Sequence, residues 1–408
     1  MGNFASLQSP GRDDPLVGSL REKISGHRTR PLVALHDLPD PRRYPDPDAA
    51  SPGAAALHAL AARSLTAATA QDADALDGAI ASTLDAMLAR GDGDALTDVL
   101  DSASTPAVYR HLWRSLSRTA SVARGAGDGL AVTLFAIPLV IVAATSAERG
   151  TPARLQGAVP DVEALVAVLR EHGALSGNRA FALGNALVTA DAIDVAQLPS
   201  LLASRRLLEG AGLAPLALAA APIELTGAER AHLRFLVGSA IAAPTADLLA
   251  DASVGSWGMP LANSLISQLS APGASVVALP RAALSLPAAV AQGRAAQREI
   301  SAQLFVSNAL RALRASVGEP VAVISAHRAD DAPVGGELRL SLSSPFSPRD
   351  AQGFRCPLYR GEGVAAVAMM LADLLRDCRV ADVRVLDGVH PDRDRLTGGP
   401  LLFKADAL

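Results

Sequence analysis

Two short segments bring together groups able to move protons or hold a metal ion. VHPDRDR carries His390, Asp392 and Asp394, and AHRADD carries His327, Asp330 and Asp331. One imidazole beside two carboxylates is a donor set that a hydrolytic metal site can use. Both segments follow expected strands, where loops often carry function. Neither has a helical i, i+4 histidine pair or another specific ligand spacing, so no metal or other cofactor is expected. Acid–base catalysis by His327, Asp330, His390, Asp392 and Asp394 with neighbouring arginines stands as the alternative reading. Against it, polar loops rich in Asp, Arg, Gly and Pro are ordinary.

A second constellation is a basic stripe. Arg110, Arg114 and Arg118 recur at i, i+4 and i+8, with Tyr109, His111 and Trp113 beside them. Such a stripe can grip phosphates while an aromatic neighbour stacks on a base. The simpler reading uses the preceding helices, which carry Asp72, Asp74, Asp77, Asp85, Asp92, Asp94, Asp98 and Asp101 against Arg90. Charge-complementary neighbouring helices need no ligand. With a net charge of −4, nucleic acid is not the expected partner.

Several chemistries are excluded by inventory. Lys23 and Lys404 are the only lysines, which removes Schiff-base and Ser-Lys chemistry from consideration. No Gly-Lys-Ser/Thr phosphate loop occurs. The glycines at 125, 127 and 129, and those at 210 and 212, lack the strand-before, helix-after context of a dinucleotide fingerprint and read as turns. Gly255-Ser256-Trp257-Gly258 has the wrong spacing for a nucleophile elbow. Cys356 and Cys378 show no C-x-x-C spacing and read as a strand residue and a core residue in a reducing compartment. Residues 1–9 lack the basic-then-apolar order of a secretory signal, so the expected location is the cytoplasm.

These candidates must be held by the surrounding elements. Of 408 residues, 50% are hydrophobic, 19% charged and 3% aromatic, so a sizeable core is built from small aliphatic side chains. Abundant Ala, Gly, Pro and Arg fit a GC-rich bacterial genome. Residues 1–52 read as an irregular Pro/Asp-rich arm, 53–125 as a helical region, 126–280 as an α/β region and 281–408 as an α+β C-terminal module. Residues 129–147 carry no charge. Their β-branched centre and Pro138 favour buried strand over a membrane span, so integral membrane insertion is not expected.

In the last third, a helix is expected over 292–317 and strands at 321–325, 337–343 and 354–359. The strand at 337–343 should be half-buried, with Leu338, Leu340 and Leu342 facing the core. Val364, Val367, Leu371, Leu374 and Cys378 stripe one helix, and 383–385 and 401–403 close the module as strands. Residues 275–279 read as a buried strand, while 232–242 fit strand or helix. Trp257, Pro260 and Asn263 early in a helix, and the LSSPF turn at 342–346, are ordinary turns or pocket and oligomer linings.

The expected architecture is mixed α/β (α+β): a helical N-terminal lobe and a C-terminal mixed β-sheet covered by helices. The absence of a concentrated catalytic set leaves a soluble, non-enzymatic interaction or assembly protein, self-associating or with a protein partner, as the preferred function. A small-molecule enzyme and a polyanion or membrane-surface binder are the alternatives.

Overall fold

A computed structural model describes residues 32–46, 48, 50–121, 131–145, 154–174, 180–204, 216–242, 254–269, 273–316, 319–332, 334–344, 347–394 and 398–403. The glycine clusters at 125–129 and 210–212, and the last two residues of LSSPF, lie outside that set. The elements in order are helices α1 (Pro52–Leu65), α2 (Ala70–Arg90), α3 (Gly93–Asp101) and α4 (Pro106–Ser121), then strands β1 (Ala131–Thr145) and β2 (Arg154–Leu155). They continue with α5 (Val162–Glu171), β3 (Ala180–Val188), α6 (Leu198–Ser204), β4 (Ile223–Glu224), β5 (Arg230–Ala242), α7 (Val254–Leu269), β6 (Ala274–Pro280) and β7 (Leu284–Ser285). The chain ends with α8 (Leu286–Ser316), β8 (Val321–Arg328), β9 (Gly336–Ser344), β10 (Ser347–Pro357), α9 (Val364–Asp377) and β11 (Asp382–His390). This is a mixed α/β fold.

Two compact units divide the chain. The larger spans 43–307 with 359–363, and the smaller combines 1–42, 308–358 and 364–408. In the larger unit, β1 pairs antiparallel with β5 and β6, giving the order β3-β5-β1-β6. Leu134 and Ala136 of β1 join a core with helices α1 to α4, while Phe135, Ile137, Leu139 and Ile141 join another with α5 and α7. The sheet therefore lies between two helical layers, and β1 is uncharged because both its faces are covered. No described helix is long and apolar enough to cross a membrane.

Pro138 can occupy this central strand because of a local gap. Its carbonyl accepts from Arg281 N–H, so its missing donor points the same way, into the break between β6 and β7. A proline there interrupts no ladder bond. Beside it, Gly238 on β5 stands opposite Phe135; a Cβ would come within 2.4 Å of the phenyl ring.

Residues 232–242 resolve as strand, since they fill the ladder between β1 and β3. Residues 275–279 do not form a buried strand. β6 is the sheet's last strand, with Val277 46% exposed. Trp257 is buried in the core on the α5 and α7 side.

In the smaller unit, β8, β9 and β10 form an antiparallel meander, and α9 crosses over to β11, which runs parallel to β8. Leu32 bridges Leu386, and Val33 N–H donates to Val385, so the N-terminal arm covers the outer edge of β11. The α9 stripe is rotated slightly from expectation. Leu375, not Leu374, is buried, and Cys378 is only half-buried. Residues 401–403 are irregular, with Leu401 N–H donating to Asp392 across a hairpin.

Gly238→Val should lower stability to chemical denaturation by about 1–3 kcal/mol through overpacking against Phe135. Gly78→Ala, on exposed α2 with open space around its Cα, should raise it by about 0.5–1 kcal/mol. Equal effects would contradict the packing described.

Candidate functional site

The β8–β9–β10 register sorts side chains onto two faces. Ala322, Ile324, Ala326, Leu338, Leu340 and Leu342 share one. Ser325, His327, Glu337, Arg339 and Ser341 share the other, joined by Arg355 of β10 opposite Arg339 and His390 of β11 opposite His327. Alternation on β9 predicts a polar face turned to water. Instead every residue of β9 is buried. The cover is formed by residues 391–394 and 398–403, whose backbone meets the polar face.

Arg339 is the centre of that contact. It is 1% exposed and donates from Nη1 to the carbonyls of Asp392 at 2.5 Å and Leu401 at 3.2 Å. Its Nη2 donates to the Asp392 carboxylate, and its Nε to Glu337 at 2.6 Å. Glu337, 2% exposed, also accepts from Arg355 Nε at 2.9 and 2.8 Å. Arg355 in turn donates to Asp331 at 2.8 and 2.5 Å. The result is a line of alternating charge: Asp331, Arg355, Glu337, Arg339, Asp392. The Arg355 hydrogen bond, with its positive charge, pulls the Asp331 carboxyl down to about 2, and the Arg355 guanidinium is raised in turn. Ser341 Oγ donates to the Phe403 carbonyl at 2.6 Å and completes the hold on the segment.

The two candidate histidines do meet here. Their ring centres are 5.4 Å apart, and Phe403 packs edge-on against His390 at 4.7 Å. His327 Nδ1 lies 2.9 Å from the Pro391 carbonyl, which can only accept. Nδ1 therefore carries the proton, and Nε2 accepts from Ser325 Oγ at 2.8 Å. A serine paired with a base is a nucleophile's arrangement. Yet Ser325 is 1% and His327 0% exposed, in mid-strand beneath 391–403. The bonds observed bind the hairpin to the sheet.

The remaining candidates disperse. Asp330 is exposed after β8. Asp394 closes the 392–401 hairpin through its backbone, accepting from Gly398 and donating to Gly399. No group of three metal-ligating side chains occurs among the described residues. Ser325, Glu337, Arg339 and Arg355 were missed as members of this cluster. For Glu337 and Arg339 the signal is the polar alternation on β9, which sequence reading assigns to solvent.

On α4, Arg110, Arg114 and Arg118 are all exposed. The expected pairing with the acidic helices goes elsewhere: His111 meets Asp77 at 2.9 Å, and Asp101 meets Arg360 at 3.7 Å. None of the three arginines forms an ion pair with a described residue. Arg110 Nε donates only to the Pro106 carbonyl one turn back.

The sheet edges differ sharply. The outer edge of β3 is covered, because Leu187 N–H donates to Gly157 and Ala221 N–H to Leu187, and Ala158 bridges Ala186. No described residue covers the outer edge of β6. Its sequence, ASVVALP, holds no charge. The packed neighbour α7 carries Met259, 64% exposed.

No family model matches this chain, and neither a curated protein nor a solved structure does.

Arg339→Met should cost about 3–5 kcal/mol, because Glu337 keeps only Arg355 as a cation and the Asp392 carboxylate and the Asp392 and Leu401 carbonyls lose their donor. Amide exchange over 391–403 should accelerate in the same variant. Arg355→Gln, at a partly exposed position, should cost about 1 kcal/mol or less by the same urea titration. Comparable losses in the two variants would show that Arg339 is not the anchor.

Proposed function

We propose that this chain is a non-enzymatic assembly protein whose copies associate through the outer edge of β6. The observation that carries the reading is that edge: seven uncharged residues ending the larger sheet, with Val277 exposed. An unpaired strand displays a row of N–H and C=O groups that another strand can bond, and proteins that stay monomeric blunt such edges with charge or cover. Among the described residues, the outer edges of β3 and β11 have bonding partners and that of β6 has none. A two-fold axis would pair β6 with its copy antiparallel and close the assembly as a dimer. Of the acid and base groups that favoured an enzyme, His327 and Asp392 are engaged in the contact between the sheet and the residues after β11. Two cysteines without C-x-x-C spacing in 408 residues support a reducing, cytoplasmic setting.

Light scattering across a concentration series tests this. The native chain should reach twice its monomer mass, and Val277→Lys, placing charge on the edge, should return it to monomer without loss of helical signal. A folded native chain that stays monomeric throughout overturns the proposal.

The α4 stripe favours a second reading, a polyanion binder, because three exposed arginines share one face. With duplex DNA as the polyanion probe, replacing Arg110, Arg114 and Arg118 by Gln should flatten the log–log salt dependence by about 3. Absence of salt-dependent binding by the native chain removes this reading.

A further inference from the structure

The larger unit contains a cavity of about 230 Å³ between α3, α4, the turns at 190–197 and the N-terminal part of α8. At about 30 Å³ per water that is roughly eight waters, too little for a nucleotide and enough for a molecule of about nine non-hydrogen atoms. Tyr109 and Trp113, one turn apart on α4, stack with ring centres 5.8 Å apart and planes 15° from parallel, forming a flat wall. Burial pushes the Tyr109 phenol up to about 12, so its hydroxyl stays a neutral donor.

Charge lines the same space. Arg294 of α8 lies 5.4 Å from the Tyr359 ring centre and forms no ion pair with a described residue. Its neighbour one turn on, Arg298, is committed to Glu362 through two bonds of 2.6 and 2.9 Å. Asp194 accepts the Gln197 N–H at 3.1 Å and likewise forms no ion pair with a described residue. Desolvation raises the Asp194 carboxyl above its ordinary range, with the Asp191 charge adding to the rise and the Arg294 charge only partly offsetting it. Asp101, exposed at the rim, is already engaged with Arg360. A guanidinium and a carboxylate thus line one cavity without closing on each other. A ligand carrying both charges would satisfy both.

We infer that this cavity binds a small zwitterion, an α-amino acid with a short aliphatic side chain. Arg294 receives the ligand carboxylate, for which its planar fork is suited. Asp194 receives the ammonium, and the aliphatic part lies against Tyr109 and Trp113. Neither the assembly edge nor the arginine stripe is needed for this site.

Isothermal titration of the full chain with L-leucine, 3-methylbutylamine and 4-methylpentanoate separates the contributions. L-leucine should bind at least about tenfold more tightly than either half-ligand, equivalent to about 1.4 kcal/mol. Arg294→Gln should remove its advantage over the amine. Asp194→Asn should remove its advantage over the acid while keeping an oxygen to accept the Gln197 N–H, with folding checked by the thermal melt. Three results overturn the inference: no heat with L-leucine at about 10 mM, a half-ligand binding as tightly, or unchanged ratios in folded variants.

Discussion

The smaller unit depends on one buried cation. Arg339 sits at the centre of a four-stranded sheet with almost no access to water, and a charge in that position must be matched on every side. Glu337 matches it along its own strand, and Asp392 matches it from the segment that follows β11. Two backbone carbonyls take the Nη1 donors. Because those partners follow β11, the sheet's polar face is complete only when residues 391–394 and 398–403 lie upon it. The same requirement explains the chemistry beside it. His327 takes one tautomer because a carbonyl of that segment needs a donor, and Ser325 turns to the nitrogen that remains.

The larger unit is built on a different constraint. β1 is covered on both faces and flanked on both edges, so each of its residues answers to packing and to a hydrogen-bond ladder together. Pro138 survives because the neighbouring strand is broken where its donor would have pointed. Gly238 is needed because Phe135 occupies the space opposite. Once that sheet is filled, what varies is how its edges end. One is closed by turns and the other is uncharged and has no partner among the described residues, and this contrast underlies the proposed assembly.

The proposed sites lie away from the residues whose chemistry first draws the eye. His327, His390 and Asp392 pack or bond where the residues after β11 meet the sheet, while Asp330 lies exposed. The exposed arginines of α4 are spared by an acidic helix that pairs with His111 instead. The cavity in the larger unit assembles Asp194 and Arg294, a hundred residues apart in sequence, around an aromatic pair on α4. No spacing pattern could have revealed that grouping.

Much of the fold was legible because periodicity is a local property. The uncharged run at 131–145, the α9 stripe and the 321–328 strand follow from burial patterns that each segment carries alone. Sequence alone also determined the absence of lysine chemistry and of a phosphate loop. The covering of β9 was not legible, since alternation looks the same whether the polar face meets water or a distant segment offering carbonyls and a carboxylate. Nor could sequence decide which strand ends a sheet, because edge position depends on partners elsewhere in the chain. Tertiary structure alone decided that His327 and His390 meet beneath a hairpin. Long-range pairing sets which polar groups are desolvated, and desolvation determines what each group can do.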